Sequence, residues 1–282
     1  MGLDKFYTQK HVSKTCYDFL HQNLNIPNNA LYLEPSAGNG SFLDLLTSYV
    51  ALDIAPEDNR IMEQDYLKYQ TNETHFITIG NPPFGKRSKL AIDFFNKAAT
   101  MSDVIAFIVP VSFMKWSVQK MLNHNFSLHS YIYLAPESFS ANGEPYSVRT
   151  VFQIWVKKES QYDNKINLRL SKKPPISHTD FEIWQYNATP EAIKNIDEDW
   201  KYAVMRQGYY DYNQIFTRTD YNYIYEKMTG AKKQQFFFIK PLTEEAEKVI
   251  LSMDFNALAE RNTATPGFGK SDFVSYYVEL KG

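Results

Sequence analysis

An Asn-Pro-Pro-Phe tetrapeptide at 81–84 carries the most specific chemistry in the sequence. The side chain of Asn81 offers a carbonyl oxygen, and Pro82 offers a backbone carbonyl whose direction is restricted by two successive proline rings. Two such acceptors suit the two hydrogens of an amino group whose lone pair is delocalised. Phe84 adds an aromatic face on which a flat group can stack. The tetrapeptide therefore predicts a site that holds a planar amine.

A glycine-bearing segment at 34–40 lies between an apolar run at 30–33 and a helical pattern at 41–46. Gly38 and Gly40 let the backbone approach a ligand closely, although an ordinary tight turn would also use them. The segment lacks the third glycine of the dinucleotide fingerprint and the Gly-Lys-Ser/Thr of a phosphate-binding loop. This favours a ligand without phosphates.

Apolar runs of strand length alternate with helix-like stretches in the first half of the chain. The runs lie at 30–33, 49–54, 76–79, 104–109, 130–134 and 150–156, and the helix-like stretches at 11–24 and 89–99. This alternation predicts an α/β protein with a mostly parallel sheet and helices on both faces. Asp53, at the end of the second run, is then placed to accept the hydroxyl groups of a ribose.

The alternation stops near Lys158, where a polar stretch begins. We therefore expect one domain over residues 1–158 and a smaller accessory region over 159–282. Helix starts are predicted at 189–191 and 243–245 in this region, with no strand-helix alternation between them. Its 21 aromatic residues are densest at 209–225. They either pack in a small core or offer faces for stacking bases, with Arg206 and Arg218 near for phosphates.

The overall composition excludes several classes of protein. With 44% hydrophobic and 22% charged residues, the chain is predicted to fold rather than to be disordered. The single cysteine, Cys16, excludes an internal disulfide, and the six histidines show no zinc-ligand spacing, so we expect no metal site. The longest uncharged apolar run, 104–114, is too short to span a bilayer, and no signal peptide is apparent. We expect a cytoplasmic protein without a membrane partner.

The order of these motifs resembles that of the amino-methylating DNA adenine methyltransferases of the gamma arrangement. In that family the cofactor-binding part comes first, the catalytic tetrapeptide follows and a target-recognition region comes last. The resemblance covers residues 4 to about 158. The matching elements are Lys5-Phe6-Tyr7-Thr8 ahead of a helix, the segment at 34–40, Asp53, Asp65-Tyr66 and the tetrapeptide at 81–84.

This resemblance implies a Rossmann-like methyltransferase fold with a mostly parallel seven-stranded sheet and a smaller C-terminal accessory domain. It also implies S-adenosylmethionine as cofactor and the N6 amino group of adenine in DNA as methyl acceptor, in a restriction-modification or mobile-element setting. The implied cofactor-binding residues are Tyr7 and Thr8 at the methionine end, Glu34 at the ammonium group, Gly38 and Gly40 beneath the cofactor, Asp53 at the ribose, and Asp65 and Tyr66 at the adenine.

The implied catalytic residues are Asn81, Pro82 and Phe84. Phe84 would stack on a base swung out of its helix. Phe139 would be the second aromatic against that base, with Tyr146 as the alternative. The sequence departs from the family pattern at Gln9, where proline is usual, and its C-terminal region is short for a domain that reads a sequence.

Three other functions compete with this interpretation. RNA adenine is one alternative acceptor, because an unpaired base looks the same to the pocket. A protein glutamine side chain is another, although its enzymes carry a helical domain before the cofactor fold and the signature here starts at Phe6. A non-catalytic subunit that binds nucleic acid is the third. The net charge of −2 argues mildly against a nucleic-acid partner, but basic clusters occur at 86–89, 172–173 and 232–233.

Overall fold

The computed structural model describes residues 7–135, 138–141, 144–146, 148–262 and 265–282, with main chain only for residues 141 and 144–146. The chain divides into two compact units, Met1–Ser171 and Lys172–Gly282. Each unit has its own hydrophobic core. None of the helices in the described ranges combines the length and the apolar character that crossing a membrane requires.

The first unit contains ten strands and three α-helices among its described residues. The strands are β1 (Tyr7–Thr8), β2 (Tyr32–Glu34), β3 (Tyr49–Asp53), β4 (Met62–Glu63), β5 (Phe76–Gly80), β6 (Ser102–Pro110), β7 (Phe126–Tyr133), β8 (Phe139–Ala141), β9 (Glu144–Tyr146) and β10 (Thr150–Lys157). The helices are α1 (Lys10–Asn23), α2 (Lys89–Ala98) and α3 (Trp116–Gln119). Short 3-10 helices lie at Leu43–Leu45, Tyr66–Lys68, Lys86–Ser88 and Val111–Met114.

Seven of these strands form one sheet in the order β4-β3-β2-β5-β6-β10-β7. The pairings from β4 to β6 are parallel, and β10 runs antiparallel to both of its neighbours. This arrangement confirms the predicted α/β class and the mostly parallel seven-stranded sheet of a Rossmann-like methyltransferase fold. A separate small sheet, β1-β8-β9, pairs Thr8 with Phe139.

The pattern of buried residues explains why the sheet forms a central layer. All nine residues of β6 are buried, as expected for a strand covered on both faces. Val104, Ala106 and Ile108 pack in one core cluster, whereas Ile105 and Phe107 pack in the other. Because successive side chains of a strand point to opposite faces, the two clusters lie on the two sides of the sheet.

The helical pattern predicted at 41–46 is wrong in type. The structure shows only the 3-10 helix Leu43–Leu45 after the glycine segment, and the chain is already extended at Leu46. Six residues are too few for a stable α-helix unless packing supports it, because the first turn is entropically costly. The helices predicted at 11–24 and 89–99 are present as α1 and α2.

The second unit is built on a four-stranded antiparallel sheet that the sequence pattern did not predict. Its strands are β11 (Phe181–Tyr186), β12 (Tyr202–Gln207), β13 (Ile215–Thr217) and β14 (Gln235–Pro241), in the order β11-β14-β12-β13. Its helices are α4 (Tyr221–Thr229), α5 (Glu244–Ser252), α6 (Phe255–Glu260) and α7 (Lys270–Lys281), with 3-10 helices at Pro190–Ile196 and Arg218–Asp220. The predicted helix start at 243 is confirmed, since Thr243 caps α5; the start at 189–191 leads into a 3-10 helix.

Residues 159–171 belong to the first unit, so the division lies later than the predicted boundary at Lys158. Arg169 holds this segment in place. Its guanidinium donates hydrogen bonds to four main-chain carbonyls, of Gln119, Leu122, Asn123 and Phe126, at 2.6 to 3.1 Å. Burial lowers the pKa of Arg169, which still donates all four bonds as a cation. This contact is between residues more than 40 positions apart, so periodicity does not reveal it.

We expect Arg169→Ala to lower the free energy of unfolding of the first unit by about 2 to 3 kcal/mol, because four partly buried carbonyls lose a charged donor. Urea unfolding followed by circular dichroism measures the change. Lys158→Ala removes an exposed cation at the predicted boundary and is the matched control, with an expected change below about 0.5 kcal/mol. Equal stability of the two variants would show that Arg169 does not anchor the segment.

Candidate active site

A cleft with about 830 Å³ of space between its walls opens at the C-terminal ends of β2, β3 and β5, and part of this space is open to solvent. Parallel strands that end at one edge bring their following loops together, and ligands of open α/β sheets bind there. Eight of the predicted site residues line the cleft: Tyr7, Gly38, Asp53, Asp65, Tyr66, Asn81, Pro82 and Phe84.

Asp53 ends β3 with its carboxylate held by two main-chain donors. The amide of Gly38 donates to Oδ2, and the amide of Ala55 donates to Oδ1, both at 2.8 Å. Each oxygen keeps a second lone pair for a ligand hydroxyl. Gly38 has φ +56°, and a Cβ there would lie 3.4 Å from the Tyr7 ring. A glycine at this position therefore brings the main chain close to both Tyr7 and Asp53.

Glu34, the last residue of β2, has a buried carboxyl beside the cleft wall. The residue is 2% exposed, and its Oε2 has no hydrogen-bond partner among the described residues. Burial raises the pKa of Glu34 well above its usual range, and the nearby charge of Asp53 raises it further. An unpartnered buried carboxyl is unfavourable in its ionised form, and a cation placed next to it would relieve that cost.

The tetrapeptide begins directly after β5, which ends at Gly80. The carboxamide Nδ2 of Asn81 donates to Thr8 Oγ1 at 3.2 Å, and the main-chain carbonyl of Asn81 accepts a bond from Ser36 Oγ at 3.1 Å. These two contacts orient the carboxamide and hold the main chain against the glycine segment. Pro82 is buried and Phe84 is half-buried in the cleft wall.

Asp65 and Tyr66 form the side of the cleft next to β4. Asp65 caps the 3-10 helix Tyr66–Lys68 by accepting from the amide of Leu67 at 3.0 Å. The ring of Tyr66 is buried against Phe94 of α2, with 5.0 Å between ring centroids, and burial raises the pKa of its hydroxyl. The two rings make an apolar wall suited to a flat heterocycle.

Four predicted site residues do not line the cleft. Thr8 accepts the hydrogen bond from Asn81 Nδ2, and the buried Glu34 is not part of the cleft lining. Gly40 has φ +77° and packs against the Asp58–Arg60 ion pair, since a Cβ there would lie 3.1 Å from Asp58 Oδ2.

The stacking role predicted for Phe139 does not agree with its position. Its side chain is fully buried in the core, so only its main chain, paired with Thr8, is near the site. Successive side chains of a strand point to opposite faces, and in the short antiparallel sheet the side chain of Phe139 is on the face that packs on the core. The main chain of Tyr146 pairs with Phe139, and its side chain lies outside the described residues, as do Lys5 and Phe6.

Three further residues contribute to the site without having been predicted. Gly80 has φ +155°, and a Cβ there would lie 3.4 Å from Glu34 Cγ, so glycine allows β2 and β5 to pack closely at the cleft. A glycine at the end of a strand and directly before the tetrapeptide was a signal for this role. Ser36 lies inside the glycine segment. Phe94 had no signal, because it is one of several apolar residues on α2.

The cleft thus combines several distinct binding groups. Asp53 offers a fixed carboxylate that can accept hydroxyl groups, and Tyr66 offers an aromatic wall, whereas the carboxyl of Glu34 is buried next to the cleft and outside its lining. Asn81 adds a carboxamide to the same cleft. Across the part of the chain that the structure describes, no three His, Cys, Asp or Glu side chains group as metal ligands.

The sequence matches no protein-family model and no curated protein. Solved structures with a similar backbone include a provisionally assigned RNA methyltransferase from Pyrococcus horikoshii, with TM-score 0.43 and 16% identity over 55% of this chain and 87% of that chain. A provisionally assigned class I S-adenosylmethionine-dependent methyltransferase from Listeria monocytogenes gives TM-score 0.45 and 13% identity, over 57% of this chain and 64% of that chain.

A third similar structure is the methyltransferase subunit of a type I restriction-modification system from Streptococcus thermophilus. It gives TM-score 0.42 and 16% identity, over 56% of this chain and 46% of that chain, so the match spans less than half of the subunit. These are likenesses of backbone architecture alone.

Proposed function

We propose that this protein transfers the methyl group of S-adenosylmethionine to the N6 amino group of adenine in DNA. One observation carries the proposal: the Asn-Pro-Pro-Phe tetrapeptide lines the same cleft as Asp53 and Tyr66. Residues suited to binding an amine and residues suited to binding a nucleoside therefore line the same cleft.

The cleft residues fit the proposed cofactor. Asp53 would accept the ribose hydroxyls with the lone pairs that its two main-chain bonds leave open. Glu34 would receive the ammonium group, which would satisfy its buried Oε2. Asp65 and Tyr66 would hold the adenine, and Gly38 would let the main chain approach. When bound there, S-adenosylmethionine supplies a methyl group on a positively charged sulfur.

The tetrapeptide fits the proposed methyl acceptor. The N6 lone pair of adenine is delocalised into the ring, and acceptors that hold the two N6 hydrogens favour a tetrahedral nitrogen with a localised lone pair. Asn81 Oδ1 and the carbonyl of Pro82 would be these acceptors, oriented by the bond that Asn81 Nδ2 donates to Thr8 and by the bond that the Asn81 main-chain carbonyl accepts from Ser36. The nitrogen would gain the methyl group as the methyl–sulfur bond breaks, which would leave a neutral thioether, and the nitrogen would release one proton to solvent. Phe84 would stack on the base, which must leave its helix to enter the cleft.

The choice of DNA rests on the resemblance of the motif order, so the acceptor needs a direct test. We expect the purified protein to transfer radiolabelled methyl groups to adenine-containing DNA, and nucleoside mass spectrometry to identify N6-methyl-2′-deoxyadenosine. Equal amounts of RNA and of glutamine-containing protein serve as parallel acceptors. Transfer to RNA or to glutamine alone would replace the proposed acceptor, and cofactor binding without any transfer would indicate a non-catalytic subunit.

We expect Asn81→Ala to lower kcat by about 100-fold or more and to leave the Kd of the cofactor within about twofold, because the lost acceptor acts mainly in the transition state. Isothermal titration calorimetry and the methyl-transfer assay measure the two quantities. Asn29→Ala, at an exposed turn, is the matched control. Thr8→Val should cause a smaller loss of kcat, because it removes only the hydroxyl that orients Asn81. Normal turnover by Asn81→Ala would contradict the assigned role.

We expect Glu34→Gln to weaken cofactor binding and to abolish its dependence on pH. The raised pKa of Glu34 means that a bound ammonium group must displace a proton, so wild-type affinity should rise with pH, by up to tenfold per unit, below the raised pKa. Calorimetry between about pH 5 and pH 7, where the cofactor amine stays charged, measures this slope.

In the ligand-free protein, Glu34→Gln should stabilise the fold, whereas it weakens the binding of the cofactor. Because the folded-state pKa of Glu34 lies above its unfolded value, the free energy of unfolding falls as pH rises from the unfolded pKa through the folded one. Glu34→Gln removes this fall and should raise the Tm at neutral pH. Glu63→Gln, on the exposed strand β4, is the control. An unchanged pH slope of cofactor affinity would show that Glu34 does not receive the cation.

A further inference from the structure

The loop directly after the tetrapeptide has an unusual backbone. Gly85, Arg87 and Ser88 have φ values of +66°, +55° and +61°, and the last two are not glycine. Non-glycine residues in the left-handed region are strained, and such strain persists only where neighbouring contacts impose it. It occurs often at ligand-binding sites.

A steric requirement and one side-chain contact accompany this conformation. A Cβ at position 85 would lie 2.8 Å from Leu90 Cβ, so glycine is needed for the turn. Ser88 is 7% exposed, and its Oγ lies 2.9 Å from Ser112 Oγ. The amide of Ser88 also donates to the carbonyl of Gly85 at 3.3 Å, which closes the loop, and Lys86 and Arg87 within it are exposed.

Neither cation of this loop has an ion-pair partner among the described residues. The next cation differs, because Lys89 pairs with Asp93 at 2.8 Å along α2. Lys86 and Arg87 follow Phe84 of the cleft wall by two and three residues, so their main chain lies within about 11 Å of that wall. The net charge of the whole chain is −2, so this is a local positive patch rather than a property of the surface.

Building on the proposed function, we propose that Lys86 and Arg87 bind the phosphates of the nucleic-acid strand on either side of the base held between Asn81 and Phe84. Each nucleotide of one strand adds a phosphate for about every 3.4 Å of rise along the duplex axis, and two long adjacent cations can reach neighbouring phosphates. Binding there would hold the strand at the cleft while the base is turned out. The fixed backbone would keep both cations directed outward before the strand arrives.

The test compares cation removal at these two positions with removal at Lys89. Arg87→Gly removes the charge and suits φ +55°, so the fold is retained; Lys86→Gln removes the other charge. Arg87→Lys keeps the charge and is the rescue variant. The probe is a fluorescent adenine-containing DNA duplex, with affinity measured by anisotropy across a series of salt concentrations. Circular dichroism and cofactor calorimetry check that fold and cofactor site are unchanged.

We expect the double variant Lys86→Gln, Arg87→Gly to bind DNA about tenfold or more weakly at low salt, and the slope of log affinity against log salt to fall by nearly two. Lys89→Gln should leave the slope within experimental error. A double variant with the affinity and slope of the wild type would overturn this inference while leaving the proposed methyl transfer intact. A wild-type protein that binds S-adenosylmethionine but neither binds nor methylates nucleic acid would overturn both.

Discussion

The parallel pairing of β2 with β3 and β5 is the constraint on which the whole site depends. Leu33 pairs with Val50 on one side and with Thr78 on the other, so the three strands end at nearly the same level. The strand pairing itself therefore brings the loops after these strands together, and no attraction between the loop residues is needed. Gly80 lies against Glu34 at the end of β5, and its φ of +155° is one that residues with a side chain rarely adopt.

Glu34 shows how the fold sustains an arrangement that is unfavourable without a ligand. A buried carboxyl next to a second carboxylate, Asp53, opposes folding once it ionises, and its pKa is raised as a result. Asp53 has a different environment, because two main-chain amides donate to its carboxylate. Two neighbouring carboxyls thus have different environments and suit different partners, a neutral hydroxyl for Asp53 and a cation for Glu34.

The sequence predicted the first unit well because each of its signals is local. A buried parallel strand is a continuous apolar run, and residues directly after it lie at the ligand-binding edge, which located Asp53 and Asn81. Phe139 could not be placed in this way, because its direction depends on the register of a short antiparallel sheet. The four carbonyls that Arg169 binds lie 43 to 50 residues away in sequence, and no periodicity reveals them.

The second unit shows a different limit of pattern reading. Phe236, Phe237 and Phe238 are all fully buried although neighbouring side chains of β14 point to opposite faces. A strand covered on both faces loses the apolar-polar alternation that identifies an antiparallel strand, and its aromatic run then resembles a set of stacking faces. The dense stretch at 209–225 is divided, since Tyr212 and Phe216 are buried whereas Tyr209 is 79% exposed.

Arg218 lies over the ring of Trp200 at 4.8 Å and donates to main-chain carbonyls, so its charge already serves the structure of its own unit. Arg206 is half-buried, and its guanidinium lies over the ring of Phe237 at 5.6 Å. The two arginines that the sequence offered for phosphates are therefore engaged, whereas Lys86 and Arg87, the exposed cations beside the cleft, have no ion-pair partner in the described ranges.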